Sequence, residues 1–189
     1  TGALLGDTAV PTWNAAGRNG LSYVFVSSAA VAAGGTAMAL APVRENGPAR
    51  LLALVGAAGE AITMDRMKKG MHPAEVDPLE EGEPGHKLHR AEKLLIAGAI
   101  GTAAAEVGAR AFAKRLGKGA GWKTRTALRA LSVVSGTALA AASAYTRFGV
   151  LEAGIESTKD PRHGVEPQRA RLEARRARGI TGDSITTGV

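Results

Sequence analysis

Hydrophobic and polar positions in this chain fall into long blocks rather than a short alternation. No charged residue occurs between Arg18 and Arg44, and a second uncharged run separates Arg129 from Arg147, whereas 65–93 and 154–178 are crowded with charge. A bilayer core takes roughly 20 apolar helical residues to cross. The run LSYVFVSSAAVAAGGTAMALAPV predicts a first span over 21–43, closed by Pro42 and the turn RENGP. A second helix over 48–67 opens on Pro48, where a missing N–H costs nothing, and its stretch LLALVGAAGEAITM holds one acid, Glu60. A third, over 90–114, carries LLIAGAIGTAAAEVGARAFA with Glu106 and Arg110 inside it; a fourth, over 126–153, has the uncharged centre ALSVVSGTALAAASAY. Short connections make antiparallel neighbours, so the expectation is an all-α integral membrane protein with a four-helix transmembrane bundle over 21–153.

The remaining segments are polar. Residues 1–6 read as the end of a preceding transmembrane helix and 7–20 as a linker, because Pro11, Asn14, Gly17 and Asn19-Gly20 are helix breakers. Segment 65–92, with Pro73, Pro78, Pro84 and the acidic run DPLEEGEPG, is too polar to bury a core and is expected to be exposed and mobile. Residues 154–189 form a polar, Arg-rich tail with at most a short amphipathic helix before the Thr/Gly-rich terminus. Small residues such as Ser27-Ser28 and Gly34-Gly35 offer flat surfaces for close helix packing.

Charge refines this picture less than it first promises. The net charge of +7 and pI of about 10.1 suit basic loops flanking apolar helices as well as they suit nucleic acid, and no nucleic-acid partner is expected. Let face X carry the linker, the 65–93 segment and the tail, and face Y the opposite ends. Arg44, Arg50, Arg110 and Arg129 stand on Y and Arg18, Arg66, Lys68 and Lys69 on X, so charge alone does not orient the bundle. The segment QRARLEARRAR suits anionic lipid head groups. Cysteine is absent, which excludes thiolate zinc and iron–sulfur ligation by this chain.

Candidate chemistry rests on acids inside the spans. Glu60 lies ten residues past Arg50 and Glu106 eight before Lys114, which is about 15 and 12 Å from the Y end at the helical rise. Both are therefore expected at similar depth, where an ionised carboxylate must be neutral, paired or wetted. Arg110 follows Glu106 by one turn, in the favourable order. Two readings stay open: a Glu106–Arg110 pair that merely orients its helix, or a polar route in which Glu60, Glu106 and Arg110 carry protons or steady a quinone head group. Asp7, ending the first apolar run, faces water, caps the next turn or joins that route. Trp13 and Trp122 stand beside predicted spans, where an indole anchors at the interface. GKGAGWKT (117–124) has Trp122 where a phosphate-binding loop needs glycine, HKLH (86–89) has no third ligand, and no metal site is expected.

Two stretches together resemble a known family. TGALLGDTAVPTWNAA followed by LSYVFVSSAAVAAGGTAMALAPV, and ASAYTRFGVLEAGIESTKDPRHGVEPQRARLEAR near the end, resemble the C-terminal half of the NrfD-like (polysulfide reductase) membrane subunits of actinobacterial type. The resemblance implies an eight-helix, two-bundle subunit of which this chain is the second bundle. It implies a cell-membrane protein with a cytoplasmic C-terminal tail, hence face X inside. It further implies a membrane subunit that is not an enzyme alone, passing electrons between menaquinone or another quinone and a ferredoxin-like iron–sulfur subunit that serves a molybdopterin-type catalytic subunit. Family quinone contacts belong largely to the N-terminal bundle, so none is carried over. Half of a membrane transporter and a passive membrane anchor are the rival readings.

Overall fold

Apolar blocks of this length cannot leave backbone polar groups unpaired in lipid, and helices satisfy all of them internally. The computed structural model describes residues 2–115 and 121–180, the side chains of 112–115 excepted, and among these every regular element is helical. Four short helices and four long ones follow in the order α1 (Gly2–Gly6), α2 (Pro11–Arg18), α3 (Leu21–Leu40), α4 (Gly47–Gly70), α5 (Pro73–Glu80), α6 (Gly82–Arg115), α7 (Trp122–Ser157) and α8 (Arg162–Ala177). Within α3, α6 and α7, the segments Leu21–Leu40, Gly82–Ala111 and Trp122–Ser157 are long and apolar enough to cross a membrane. α4 has comparable length, but charges at both ends and Glu60 shorten its apolar run.

The long helices form an up-down bundle in which α3 packs on α4 and α7, and α6 packs on α7 and more sparingly on α4. Small residues set the closest approaches. Gly34 faces Ala49 and Ala53, Gly56 faces Val31, and Gly35 and Gly136 lie against each other's carbonyls across α3 and α7. Val31, Met38, Ala53, Leu95, Leu139 and Ala142 fill the Y half of the interior; Leu21, Val24, Met67, Leu79 and Val150 fill the X half.

The X end departs from the expected linker and mobile loop. The supposed breakers of 7–20 start and stop a helix instead: Pro11 occupies the first turn of α2, and the Asn19 side chain closes the other end on the Ala15 carbonyl before Gly20 takes φ 102°. Segment 65–92 is helical almost throughout, because α4 continues to Gly70 and α6 already begins at Gly82. Between them, His72 and Glu75 form a capping box at the start of α5. Glu75 is buried, its charge met by Arg171 at 3.0 Å and Arg18 at 3.7 Å. Pro78 has no N–H to give the Ala74 carbonyl, four residues back, and that carbonyl accepts instead from His163 Nδ1 of α8 at 2.6 Å. The Thr12 hydroxyl donates to the Glu75 carbonyl, and Trp13 Nε1 donates to the Val150 carbonyl at 2.9 Å, its ring lying where Gly154 has no side chain. α2, α5 and α8 thus close the X end as a packed cap. The first half of the stretch GKGAGWKT, at 117–120, and the Thr/Gly-rich terminus lie outside the described residues.

Candidate functional site

The sequence-selected groups separate into two places. On α4 and α6, pairing Arg50 with Glu106 fixes the register, and Leu95 of α6 lines the same groove as Glu60. Glu60 stands ten residues from Arg50, so the two acids are about 15 Å apart along the bundle, not at one depth as the sequence suggested. Lys114 does not mark the level at which α4 begins, because α6 overshoots the start of α4.

At the Y end, Glu106 accepts from Arg50 Nε on one oxygen and from Arg110 Nε at 2.7 Å on the other. Arg50 also donates to the Val43 carbonyl at 3.2 Å. Beside it, Arg129 of α7 donates to the carbonyls of Ala41 and Ala39 at 2.6 and 2.7 Å, and the Asn46 amide reaches Met38 and Ala41. These donors satisfy the last carbonyls of α3, which have no partners within the helix, and set cations at its negative end. Arg50, Glu106, Arg110 and Arg129 each have a structural partner here, while Asn46 Oδ1 is buried with none among the described residues. The sequence reading missed Arg50, Arg129 and Asn46 in these roles because their partners lie on other helices.

Glu60 is the more open arrangement. It is 3% exposed. One carboxyl oxygen accepts from the Thr146 hydroxyl of α7 at 2.7 Å, while Oε2 is buried with no hydrogen-bond partner among the described residues. In the same layer the hydroxyls of Ser28 and Ser143 lie 2.8 Å apart, and Ser143 donates to the Ser28 carbonyl. Hydroxyls inside otherwise apolar spans were the available signal for this layer, but Ser28 reads equally well as a flat packing residue.

A groove of about 310 Å³ leads to Glu60 along the seam between α4 and α6. Its walls are Ala61, Met64, Leu88, Ala91, Leu95 and Ile96, and Thr146 joins Glu60 at the inner end. Asp65, Lys68, Glu80, His89 and Glu92 edge the end toward face X. The volume sits at the lower bound of small-molecule pockets, roughly 300–1,000 Å³. Apolar walls around one carboxyl and one hydroxyl can seat an amphiphile with a hydrogen-bonding head, or admit water to the acid.

The other named residues stand elsewhere. Arg110 is exposed at the Y-end clasp, and Asp7 is exposed at the end of α1, outside the groove lining. Trp13 is half-buried in the cap rather than facing outward, whereas Trp122 is 73% exposed at the first residue of α7. His89 edges the groove with Nδ1 on the Gly85 carbonyl, and His86 is exposed. No group of three metal-ligating side chains occurs among the described residues. No protein-family model, curated protein or solved structure matches the chain.

Proposed function

We propose that this chain is a multi-pass membrane subunit of a quinone-linked oxidoreductase complex, in which α4 joins the three apolar helices as a fourth span. The observation that carries the reading is the groove ending on the unpartnered Glu60 oxygen. Its outer flank includes Ala61 and the exposed Ile96, so a lipid-soluble molecule has a lateral way in. Glu60 and Thr146 are the groups that would meet a quinone head, with His89 nearer the mouth and Leu88, Leu95 and Ile96 against the ring. A quinone supplies paired electron and proton transfer when bound. The chain's own part is to hold the head group between apolar walls and to keep a proton at Glu60 within reach of it. Glu106 and Arg110 leave the proposed proton route and serve the Y-end clasp.

By the resemblance above, electrons pass between the quinone pool and a ferredoxin-like iron–sulfur subunit, a molybdopterin-type subunit performs the terminal chemistry, and face X is cytoplasmic. Replacing Glu60 with Gln removes the titratable oxygen at nearly constant volume. In the assembled complex, Glu60→Gln lowers quinone-dependent turnover roughly a hundredfold, the low end for a positioned acid or base, while subunit abundance in the membrane is unchanged. Unchanged turnover sinks the role of this groove and leaves a passive anchor; solute flux that persists without the iron–sulfur partner favours the transporter reading.

A further inference from the structure

The geometry points to Glu60 as a one-sided proton-loading site, in contact with water at face X and sealed from face Y. The carboxylate takes a proton from hydronium at X, one of whose O–H bonds breaks as the carboxyl O–H bond forms, leaving water; the reverse step returns the proton to that water. This deepens the reading above and borrows from it only the placement of the bundle across a membrane.

The two directions out of Glu60 differ sharply. Toward X the groove is continuous, and Asp65 stands only five residues farther along α4, or about 8 Å at the helical rise. Asp65 and Glu92 are exposed acids at that mouth, with exposed Glu80 and His89 beside them. Such exposed polar groups hold water at the mouth, and Lys68 is tied to Glu80 at 3.2 Å. Arg147 of α7 lies within electrostatic reach of Glu60, and the Thr146 hydroxyl of α7 donates to its other oxygen.

Toward Y no groove leads out of Glu60 among the described residues. Val31, Met38, Ala53 and Leu139 occupy the interior there with the buried Thr102 and Ser135; the Thr102 hydroxyl is spent on the Gly98 carbonyl at 2.7 Å, while Ser132 Oγ and Asn46 Oδ1, nearer face Y, are buried without partners among the described residues. Beyond them stand the buried Arg50, paired with Glu106, and Arg129, held on the last carbonyls of α3, and arginines so placed hinder proton passage in pores. A buried acid with one free oxygen, a wet approach on one side and an arginine-guarded, closed end on the other is a half-channel.

The chain contains no cysteine, so single thiols test it cleanly. Met64→Cys, Ala91→Cys and Thr102→Cys are placed one at a time in sealed proteoliposomes sorted by orientation and treated with a membrane-impermeant methanethiosulfonate, which modifies only wetted thiols. Thiols at 64 and 91 are expected to react at least about tenfold faster from face X than from face Y, and the thiol at 102 from neither face. Comparable rates from both faces, no reaction from X, or reaction at 102 from Y overturns the proposal. The proton itself is read by infrared spectroscopy: a protonated-carboxyl band that shifts in D2O and is missing from Glu60→Gln is expected. Its absence from the unmodified protein means that Glu60 never loads a proton. Both readouts need no quinone and no partner subunit, so they stand or fall separately from the electron-transfer reading.

Discussion

Arg50 and Arg110 hold the two oxygens of one carboxylate under opposite conditions. The Arg50 side chain is 5% exposed and also serves the Val43 carbonyl, whereas Arg110 is 78% exposed. Truncating Arg50 strands the Val43 carbonyl and takes from Glu106 its buried partner; truncating Arg110 removes a solvated partner one helical turn away. Arg50→Ala should therefore cost about 2 kcal/mol of stability, typical of a hydrogen bond to a charged group. Arg110→Ala should cost about 0.5 kcal/mol or less. Thermal or denaturant unfolding in detergent micelles measures both, and equal losses would contradict the clasp.

Between helices, contact without side chains decides the spacing. At the crossing of α3 and α7, a Cβ on Gly35 meets the Gly136 carbonyl, and a Cβ on Gly136 meets the Gly35 carbonyl. Neither obstacle is a flexible side chain that can swing away, so relief requires the helices to separate and the Ser28–Ser143 contact in the same interface to stretch. Gly136→Ala is expected to destabilise the bundle by about 2 kcal/mol, as overpacking does. Gly47→Ala is the control, since a Cβ there has nothing within 4 Å. Unfolding curves that rank Gly47→Ala as the worse substitution would show that this crossing does not limit the packing.

Across the molecule, the X-end cap joins segments far apart in the chain. Glu75 receives the His72 N–H, Arg171 of α8 and Arg18 at the end of α2, while Asp77 pairs with Arg162 at 2.9 Å. Glu75→Ala leaves two arginines without their acid and opens the capping box of α5. Amide exchange over α8 should then accelerate by at least about tenfold, equivalent to roughly 1.4 kcal/mol of local opening, with the centres of α3 and α7 unaffected. Exchange in α8 that does not change would mean that Pro167 and His163, both buried, hold the helix without the ion pairs.

Apolar block length determined much of this protein by itself. An uncharged run such as 19–43 must become a helix because no other local structure pairs its backbone away from water, and the acids standing inside the apolar blocks were visible as exceptions. Composition misjudged 65–92, because a Pro-rich, acidic segment looks solvated when its partners, Arg18, His163 and Arg171, lie a long way off in sequence. The proline that reads as a breaker, Pro78, frees the very carbonyl on which α8 docks. Tertiary structure alone decided the register of α4 on α6, and with it the division of Glu60 from Glu106. That division is a property of two surfaces in contact: one helical turn of sliding alters no hydropathy, yet it decides whether an acid meets an arginine or an open groove.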